Sequence, residues 1–459
     1  MTFDPVMAEI RFGVGLSPDR AAPGSVNDML GALAGPDAMA QAWPIARYAG
    51  AEPSFASIRA AALAVRDAPD TEAEARAMAH RDQLRENGRE MYAANLATEV
   101  ARTVDTTDGM RERLTRFWAD HFTVRAVSGA VRHLVSPYIE EAIRPHVTGR
   151  FADMLRAVIV SPMMLVYLDQ HLSLGPNSEA ARKQGRGLNE NLARELLELH
   201  TLGVDGAYTQ ADVRELAELL TGLGWSARRG FRFRPNSAEP GAETVLGVDY
   251  GGGAPSLDDI LNAMEGLALH PDTARHLAHK LAVHFIAPDP DPMLVQTMAA
   301  RYLAANGDLL AMVEGMLLHP AAWAPTARKV KLPFDYIASA LRALAVPPEV
   351  VAGASLQQVR QVVQFPMRVM GQTWQAPTGP DGWPEAAEEW ITPQGMAGRI
   401  SWAMQAPERL VDPLPDPREF VHHALGPEPP EPVAFAARAA ETRTDGVGVI
   451  LASAAFNRR

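Results

Sequence analysis

Alanine- and leucine-rich segments with apolar residues three and four positions apart follow one another along most of the chain. This spacing is typical of amphipathic helices, whereas the apolar/polar alternation of half-buried strands is almost absent. The sequence therefore predicts a mainly α protein with a compact, bundle-like body of many helices. The predicted helices span residues 72–103, 109–123, 131–143, 149–169, 188–202, 209–222, 256–269, 271–285, 291–305, 307–318, 330–345 and 394–405.

One stretch has the character of strands. Phe231 and Phe233 alternate with arginines, and the apolar residues TVL follow a Pro-Gly turn a few positions later. This pattern predicts a small β-hairpin insertion at about 231–247, lying over the helices.

Proline content changes near the end of the sequence. The segment 406–432 is rich in proline, which favours loops over helices. We therefore predict a single helical domain over 1–405, a Pro-rich connection over 406–432, and a terminal helical segment over 433–459 that packs on the same body.

Composition excludes several classes of function. The 459 residues include 43 Lys and Arg against 55 Asp and Glu, and the net charge of −12 argues against nucleic-acid binding. The absence of cysteine excludes disulfides and iron–sulfur clusters. No signal for a nucleotide, a flavin or a serine hydrolase is present. The longest apolar stretch, 157–168, is about half a membrane span, so we expect no membrane insertion. The N-terminus has no signal-peptide pattern, so the expected location is cytoplasmic.

His121 is the first candidate for chemistry. On a helical wheel Leu114, Phe117, Trp118 and His121 fall within about a third of the circumference, so His121 and Trp118 are expected to be buried. A buried imidazole can act as a general base or a ligand, or it can be a core histidine with a hydrogen-bond partner. Asp120 points about 100° away and is expected to be exposed.

A polar seam follows in the segment GLNENLARELLELH. Asn191, Glu195 and Glu198 lie along one flank of its leucine stripe, with Arg194 beside them. Burial would raise the pKa of Glu195, as in catalytic carboxylates, whereas structural ion pairing is the alternative. His200 falls about 140° from Glu195, so one straight helix cannot present both to a single metal. A divalent metal held between helices stays open.

Two further patterns are weaker. His276, Lys280 and His284 are spaced by four residues, but a cation separates the histidines and the zinc pattern fails. The tryptophans of GQTWQAPTGPDGWPEAAEEW form an aromatic loop that can stack on a sugar or clasp a peptide. The alternative is a loop held onto the helical core by its own tryptophans. These residues are Trp374, Trp383 and Trp390.

From about residue 11 to 459 the chain resembles a large bacterial family of unknown function, the domain-of-unknown-function family numbered eighteen hundred. The matching stretches are RFGVGLSPDR, RLTRFWADHFTV, SPMMLVYLD, LNENLARELLELHTLGVDGAYTQADVRELAELLTGLGW, ETVLGV, HPDTARHLAHKLAVHF, GDL, KVKLPFDYI, GWPE and ASAAFNRR. The resemblance implies a largely helical protein without an established reaction. It also implies that relatives are often exported, and that a sulfatase-like protein encoded nearby is a candidate partner.

The chain departs from the family pattern at two pairs of positions. It has Ala119-Asp120 where His-Asn is usual, and Ala238-Glu239 where His-Asp is expected. If those family positions carry chemistry, the departures affect catalysis more than fold.

Two functions follow from these patterns. The first is an enzyme that combines His121 with the seam Asn191, Arg194, Glu195 and Glu198, with or without a divalent metal, and acts on an envelope-related substrate. The alternative is a non-catalytic helical scaffold or assembly partner that holds a neighbouring-gene product with its hairpin and its tryptophan loop.

Overall fold

A computed structural model describes residues 3–126, 128–184, 187–227, 230–325 and 329–459 of the chain. Helices dominate, and the only strands in these ranges form two small antiparallel pairs. The predicted mainly α class is therefore confirmed.

The α-helices of the first half are Pro5–Met7, Val26–Ala34, Ala38–Ala42, Phe55–Arg66, Thr71–Asp105, Gly109–His121, Val135–Tyr138, Phe151–Ile159, Pro162–Tyr167, Glu179–Gln184, Asn191–Glu195 and Gln210–Leu219. Those of the second half are Leu257–Ala268, Pro271–Phe285, Pro292–Ala304, Leu309–Leu317, Pro333–Ala343, Pro348–Ala352, Leu356–Val359, Phe365–Val369, Pro393–Gln405, Pro417–Leu425, Glu431–Ala439, Arg443–Ala452 and Ala454–Asn457.

Wider and tighter helical turns join several of these helices. The π-helical segments are Ala8–Phe12, Ile139–Ile143, Leu196–His200 and Arg360–Gln364. The 3₁₀ segments are Tyr48–Gly50, Gly129–Leu134, Arg144–His146, Gln170–Leu172, Pro235–Ser237, Pro320–Trp323, Ala387–Glu389 and Pro407–Arg409.

The predicted single hairpin is corrected to two hairpins. Strand Leu223–Ser226 pairs with Gly230–Phe233, and strand Ala242–Val245 pairs with Val248–Gly251. Leu246 and Gly247 both have positive φ, 51° and 77°, as a two-residue turn between antiparallel strands requires. Strand Ala242–Val245 therefore pairs with the strand that follows it in sequence. Strand Gly230–Phe233 instead pairs with the strand that precedes it.

Buried side chains form two hydrophobic cores. The first core contains residues between 8 and 323, including Phe12, Trp118 and Phe285. The second core combines the long helix Thr71–Asp105, through residues such as Leu96, with side chains between 334 and 456. The two cores are separate groups of contacting side chains. Helix Thr71–Asp105 belongs to the second core, although most of the first core follows it in sequence.

The predicted burial of two side chains is confirmed. Trp118 is fully buried and His121 is 2% exposed, as their shared helix face predicts. Helix Gln210–Leu219 begins with a capping box, in which Thr209 accepts from the backbone of Asp212 and the Asp212 side chain accepts in return. In the described ranges no helix has both the length and the apolar composition to cross a bilayer.

The Pro-rich segment 406–432 is not entirely loop. It contains helix Pro417–Leu425, whose Phe420 is fully buried in the second core. Within the terminal segment, residues such as Ile450 and Phe456 belong to the same core. The predicted division into one domain, a connection and a terminal piece stays a prediction.

Candidate functional site

A cleft of about 110 Å³ lies where side chains from both cores meet, and we call it the central cleft. Clefts between two packed bodies are common positions for ligand sites. Helices Thr71–Asp105, Gly109–His121, Pro271–Phe285 and Pro333–Ala343 and the loop 372–385 contribute its walls. The polar and aromatic residues that line it are Glu99, Arg113, Arg116, Phe117, Asp120, Thr123, Tyr138, His284, Phe334, Asp335, Gln372, Trp374, Gln375, Trp383 and Glu385.

Helix Gly109–His121 lies between the central cleft and the first core, and it presents a different face to each. Arg113, Arg116, Phe117 and Asp120 have the spacing i, i+3, i+4, i+7 and line the central cleft, so they share one face. Leu114, Trp118 and His121 lie on the neighbouring face of the helix, which is buried in the first core. The two cleft-lining arginines do not belong to this face. The recurrence of Arg113, Arg116 and Asp120 at helical spacing is a signal in the sequence that could have identified the cleft face.

The prediction that Asp120 is exposed is wrong. Its two carboxylate oxygens accept hydrogen bonds from the backbone N–H of Trp383, at 3.0 and 2.9 Å. The loop that carries Trp383 packs over this end of the helix, and a Cβ at Gly382 would lie 2.6 Å from the carboxylate. A helical wheel cannot anticipate a covering segment that lies 263 positions away in sequence.

Two carboxyl groups in the cleft hold their protons more tightly than usual. Burial raises the pKa of Asp120 to about 7, because its effect outweighs the lowering by the backbone N–H of Trp383 and by the Lys280 ammonium. Glu385 and Asp381 add smaller increases. Burial also raises the pKa of Glu99 to about 7, against the opposing effect of Arg102 and Arg116. Both groups therefore exchange protons near neutral pH.

The loop 372–385 also holds Glu99. The indole N–H of Trp374 donates to Glu99 Oε2 and the amide of Gln375 donates to Glu99 Oε1, both at 3.2 Å. Gln375 has a φ of 52°, an uncommon backbone conformation for a residue other than glycine, and its side-chain oxygen has no partner in the described structure. One loop therefore orients both Asp120 and Glu99.

The three predicted aromatic residues face inward rather than outward. Trp374 and Trp390 are 6% and 3% exposed, and their indole N–H groups donate to Glu99 and to the carbonyl of Pro384. The ring of Trp383 lies half-buried against Trp390, with ring centroids 5.7 Å apart. Trp374 and Trp383 both line the central cleft.

A histidine–carboxylate pair forms another wall. His284 Nδ1 lies 2.5 Å from Glu385 Oε1, and Arg113 approaches the opposite nitrogen, Nε2, at 3.1 Å. These contacts assign the proton to Nδ1, because the guanidinium can only donate. Burial lowers the pKa of His284 to about 4, so the ring is neutral despite its carboxylate partner. Lys329 Nζ lies 2.7 Å from Glu385 Oε2.

Asp335 lies beside this pair and is surrounded by more cations than its single charge can neutralise. Arg116 lies 3.1 Å and Arg113 3.9 Å from its oxygens, and the side chain of Arg459 also forms an ion pair with it. Burial opposes ionisation, but the three guanidinium groups outweigh it and hold the pKa of Asp335 well below its usual range. Burial also lowers the pKa of nearby Lys331 to about 7.

The end of the chain is held in place by a short backbone pairing. Lys331 N–H donates to the Asn457 carbonyl and Arg459 N–H donates to the Lys329 carbonyl, each at 2.9 Å. This pairing delivers Lys329, Lys331 and Arg459 to one place. The cations Arg113, Arg116, Lys329, Lys331 and Arg459, which we call the basic cluster, therefore surround the carboxylates Asp335 and Glu385 on this side of the cleft.

His121 belongs to a different group of residues. Its Nε2 donates to the carbonyl of His200 at 3.1 Å, and Nε2 of His276 donates to the carbonyl of Leu199 at the same distance. Both carbonyls lie at the end of the π-helical segment Leu196–His200. Burial holds the pKa of each imidazole below its usual value, to about 3 for His200 and about 4 for His276. The three imidazoles are therefore neutral, and those of His121 and His276 stabilise this helix end through hydrogen bonds to its carbonyls.

A second cavity of about 250 Å³ adjoins the central cleft and shares Phe117, Asp120, Trp383 and Glu385 with it. His121, Lys280 and Asp381 also line this side cavity. Burial lowers the pKa of Lys280, whose ammonium lies in the field of Asp120, Glu385 and Asp381. His121 thus lies on a helix that borders the central cleft, but its own side chain lines the side cavity and not the cleft.

The predicted seam lies at the edge of this region. Burial, then Glu198 and Asp381, raises the pKa of half-buried Glu195. Arg194 pairs with Glu190 at 3.2 Å, and Asn191 is exposed. No hydrogen bond or ring contact between His121 and Glu195 occurs in the part of the chain that the structure describes.

We expect a double-mutant cycle on His121→Ala and Glu195→Ala to give a coupling energy below about 0.5 kcal/mol, because the two side chains have no contact of their own in the described structure. Urea denaturation of the two single variants and the double variant measures it. A matched cycle on His284→Ala and Glu385→Ala should give a clearly larger value, since that pair is in contact. Coupling of similar size in both cycles would place Glu195 beside His121.

A group of carboxylates with metal-ligand spacing occurs outside the cleft. In the described ranges Glu215, Glu218 and Glu243 can each place an oxygen within 4.8 Å of the others. Burial and the neighbouring Glu215 raise the pKa of Glu243 to about 8. None of the three lines the central cleft.

The two departures from the family pattern have different surroundings. Ala119 and Asp120 both line the central cleft, so this departure changes the cleft directly. Glu239 instead accepts hydrogen bonds from the backbone and side-chain amides of Asn177, at 2.8 and 2.5 Å. The second departure therefore joins two segments that are 62 residues apart in sequence, and it does not line the central cleft.

Several residues in or beside the cleft that the sequence analysis did not propose as site residues lie in stretches that carry the resemblance. His284 lies in HPDTARHLAHKLAVHF, Asp335 in KVKLPFDYI, Glu385 in GWPE and Arg459 in FNRR. Their convergence is the signal that sequence reasoning did not use. Glu99, by contrast, lies outside these stretches and has no comparable signal.

Comparison with known proteins adds a family and no function. No curated protein and no solved structure matches the chain. The family model described as "Protein of unknown function (DUF1800)" matches residues 10–458. Since this match covers nearly all of the 459 residues, the chain belongs to the DUF1800 family of proteins of unknown function.

Proposed function

We propose that this protein is an enzyme that carries out general acid–base catalysis in the central cleft, with Asp120 and Glu99 as the groups that transfer protons. The observation that carries this proposal is that four carboxyl groups line one cleft between two cores, and that two of them, Asp120 and Glu99, are oriented by the loop 372–385. Catalytic acids and bases need pKa values near the working pH, and both carboxyl groups have a pKa of about 7.

The hydrogen bonds leave the two carboxyl groups able to react. The two oxygens of Asp120 share one donor, the N–H of Trp383, so further acceptor positions remain for a substrate or a water molecule. Glu99 is held by three side-chain donors, Trp374, Gln375 and Ser136, which fix its orientation. In a hydrolysis one carboxyl group would protonate the leaving oxygen while the other accepts a proton from water. Arg116, on the same wall, would donate hydrogen bonds to hydroxyl groups of the substrate.

The walls favour a neutral substrate rich in hydroxyl groups, such as a sugar unit of an envelope polymer. Phe117, Tyr138 and Trp383 offer flat apolar surfaces, on which sugar rings pack. Gln372 accepts a hydrogen bond from Phe334 N–H through its oxygen, at 2.8 Å, which leaves its amide hydrogens available to a ligand. Hydroxyl groups can pair with such amides and with the two carboxyl groups.

The test is a hydrolysis screen with purified protein on aryl glycosides and on polysaccharides that include peptidoglycan, with products identified by mass spectrometry. We expect release of a sugar product by the parent and loss of that product in Glu99→Gln. Glu431→Gln, which removes a surface carboxylate paired with Arg438, serves as the matched control and should retain activity. Equal turnover by the parent and Glu99→Gln would refute the assignment of Glu99.

A further inference from the structure

A second cleft, which we call the arginine cleft, lies nearer the N-terminus of helix Thr71–Asp105 than Glu99, along the same face of that helix. Its volume is about 420 Å³, within the range of sites for small molecules. Among the residues that the structure describes, none lines both this cleft and the central cleft. Its lining residues are Arg85, Gly88, Arg89, Tyr92, Ser128, Gly129, Ala130, Arg132, Arg360 and Gln364.

Four of these residues are arginines, and no carboxylate of the described ranges lines the cleft. Arg85 lies 3.3 Å from Asp82 and Arg89 lies 2.7 Å from Glu86, so each has an acidic neighbour on its own helix. Arg132 and Arg360 have no ion pair in the described structure. The arginine cleft therefore carries an excess of positive charge in a protein whose net charge is −12.

Helical elements hold the four guanidinium groups around the cleft. Arg85 and Arg89 are four residues apart on helix Thr71–Asp105 and share its face. Arg132 comes from the 3₁₀ segment Gly129–Leu134, and its guanidinium lies 5.6 Å from the centre of the Tyr92 ring. Arg360 comes from the π-helical segment Arg360–Gln364.

The close approach of these elements depends on a small residue. Gly88 is buried between Arg85 and Arg89, and a Cβ at this position would lie 3.1 Å from His133 Nδ1. The Tyr92 hydroxyl donates to the Trp374 carbonyl at 2.6 Å, which fixes the ring that forms the floor. Like charges held around one space repel each other, and a bound anion would remove this repulsion.

We propose that the arginine cleft binds a small polyanion that carries two or more tetrahedral oxyanion groups, phosphate or sulfate. The planar guanidinium group donates two parallel hydrogen bonds to such oxygens, and four of them exceed what a single phosphate needs. No described residue lines both clefts, and the proposed anion binding does not require the chemistry proposed for the central cleft. The two clefts are nevertheless linked, because Tyr92 donates to the carbonyl of Trp374, which lines the central cleft.

Isothermal titration calorimetry with inorganic pyrophosphate, orthophosphate, sulfate and citrate tests the proposal on the whole chain. We expect pyrophosphate to bind more tightly than orthophosphate or sulfate, and citrate to bind more weakly than pyrophosphate. Arg132→Gln and Arg360→Gln should each weaken pyrophosphate binding about tenfold or more. Arg438→Gln removes an arginine from a surface ion pair elsewhere and should bind like the parent.

The same titration is repeated with a sugar bisphosphate and with a sugar disulfate. Tighter binding of one of the two identifies which oxyanion the arginine cleft prefers. Absence of pyrophosphate binding would overturn the proposal, as would equal binding by the parent and both cleft variants. Citrate binding as tight as that of pyrophosphate would overturn the assignment to tetrahedral oxyanions.

Discussion

Replacement of Asp335 with asparagine is expected to lower the free energy of unfolding by about 3–5 kcal/mol, the usual cost of removing one partner from a buried ion pair. Arg113 and Arg459 are 2% and 1% exposed, so water cannot replace the lost carboxylate. Asparagine keeps the size of the side chain but leaves the guanidinium groups of Arg113, Arg116 and Arg459 facing one another. Urea denaturation at pH 7 measures the change.

Asp82→Asn is the matched control. Asp82 also contacts two arginines, Arg81 at 3.2 Å and Arg85 at 3.3 Å, but its side chain is 60% exposed. Solvent screens such pairs, so this variant should change the free energy of unfolding by no more than about 0.5 kcal/mol. Equal losses in the two variants would show that burial does not set the effect.

The same carboxylate makes a pH-dependent contribution. The folded-state pKa of Asp335 is depressed, so its stabilisation is fully present above the unfolded value of about 3.9 and is lost as pH falls toward the folded value. The amide that replaces the carboxyl group in Asp335→Asn does not titrate. The difference between the parent and this variant should therefore shrink below about pH 4. A difference that grows with acid would contradict the assigned ion pairs.

Local patterns in the sequence predict most of the helical framework. The predicted helix 271–285 agrees with Pro271–Phe285, and 72–103 agrees with Thr71–Asp105 to within two residues at each end. Proline and capping residues mark such boundaries through local hydrogen bonds, as at His270, which accepts from the backbone of Asp272. Properties that depend on a few neighbouring residues are readable from one sequence.

The cleft depends on distant contacts that no local pattern encodes. Asp120 meets Trp383 across 263 positions of sequence, and Arg116 meets Asp335 across 219. The segment 188–202 also departs from a straight α-helix, because residues Leu196–His200 adopt the wider π-helical turn. A wheel drawn for a straight helix therefore misplaces side chains after this point, and it cannot identify which segments cover them.

Replacement of Asp120 with asparagine is expected to lower kcat about 10²–10⁴-fold on a substrate identified by the hydrolysis screen. The amide oxygen can still accept the hydrogen bond from Trp383 N–H, but the side chain can no longer exchange a proton. Burial disfavours the ionised form of Asp120, so the neutral amide should leave the protein as stable as the parent, or more stable, above pH 7. Thermal unfolding at pH 8 checks this.

The pH dependence separates catalysis from a structural role. With one carboxyl group protonated and the other ionised, kcat of the parent should peak near pH 7 and fall on both sides, with apparent pKa values that belong to the pair. Loss of either group should remove one limb of the curve along with most of the rate. Glu195→Gln should keep both limbs, because Glu195 does not line the central cleft. Full activity in Asp120→Asn together with inactivity in Glu195→Gln would move the reaction to the seam beside the side cavity, where burial also raises the pKa of a carboxyl group.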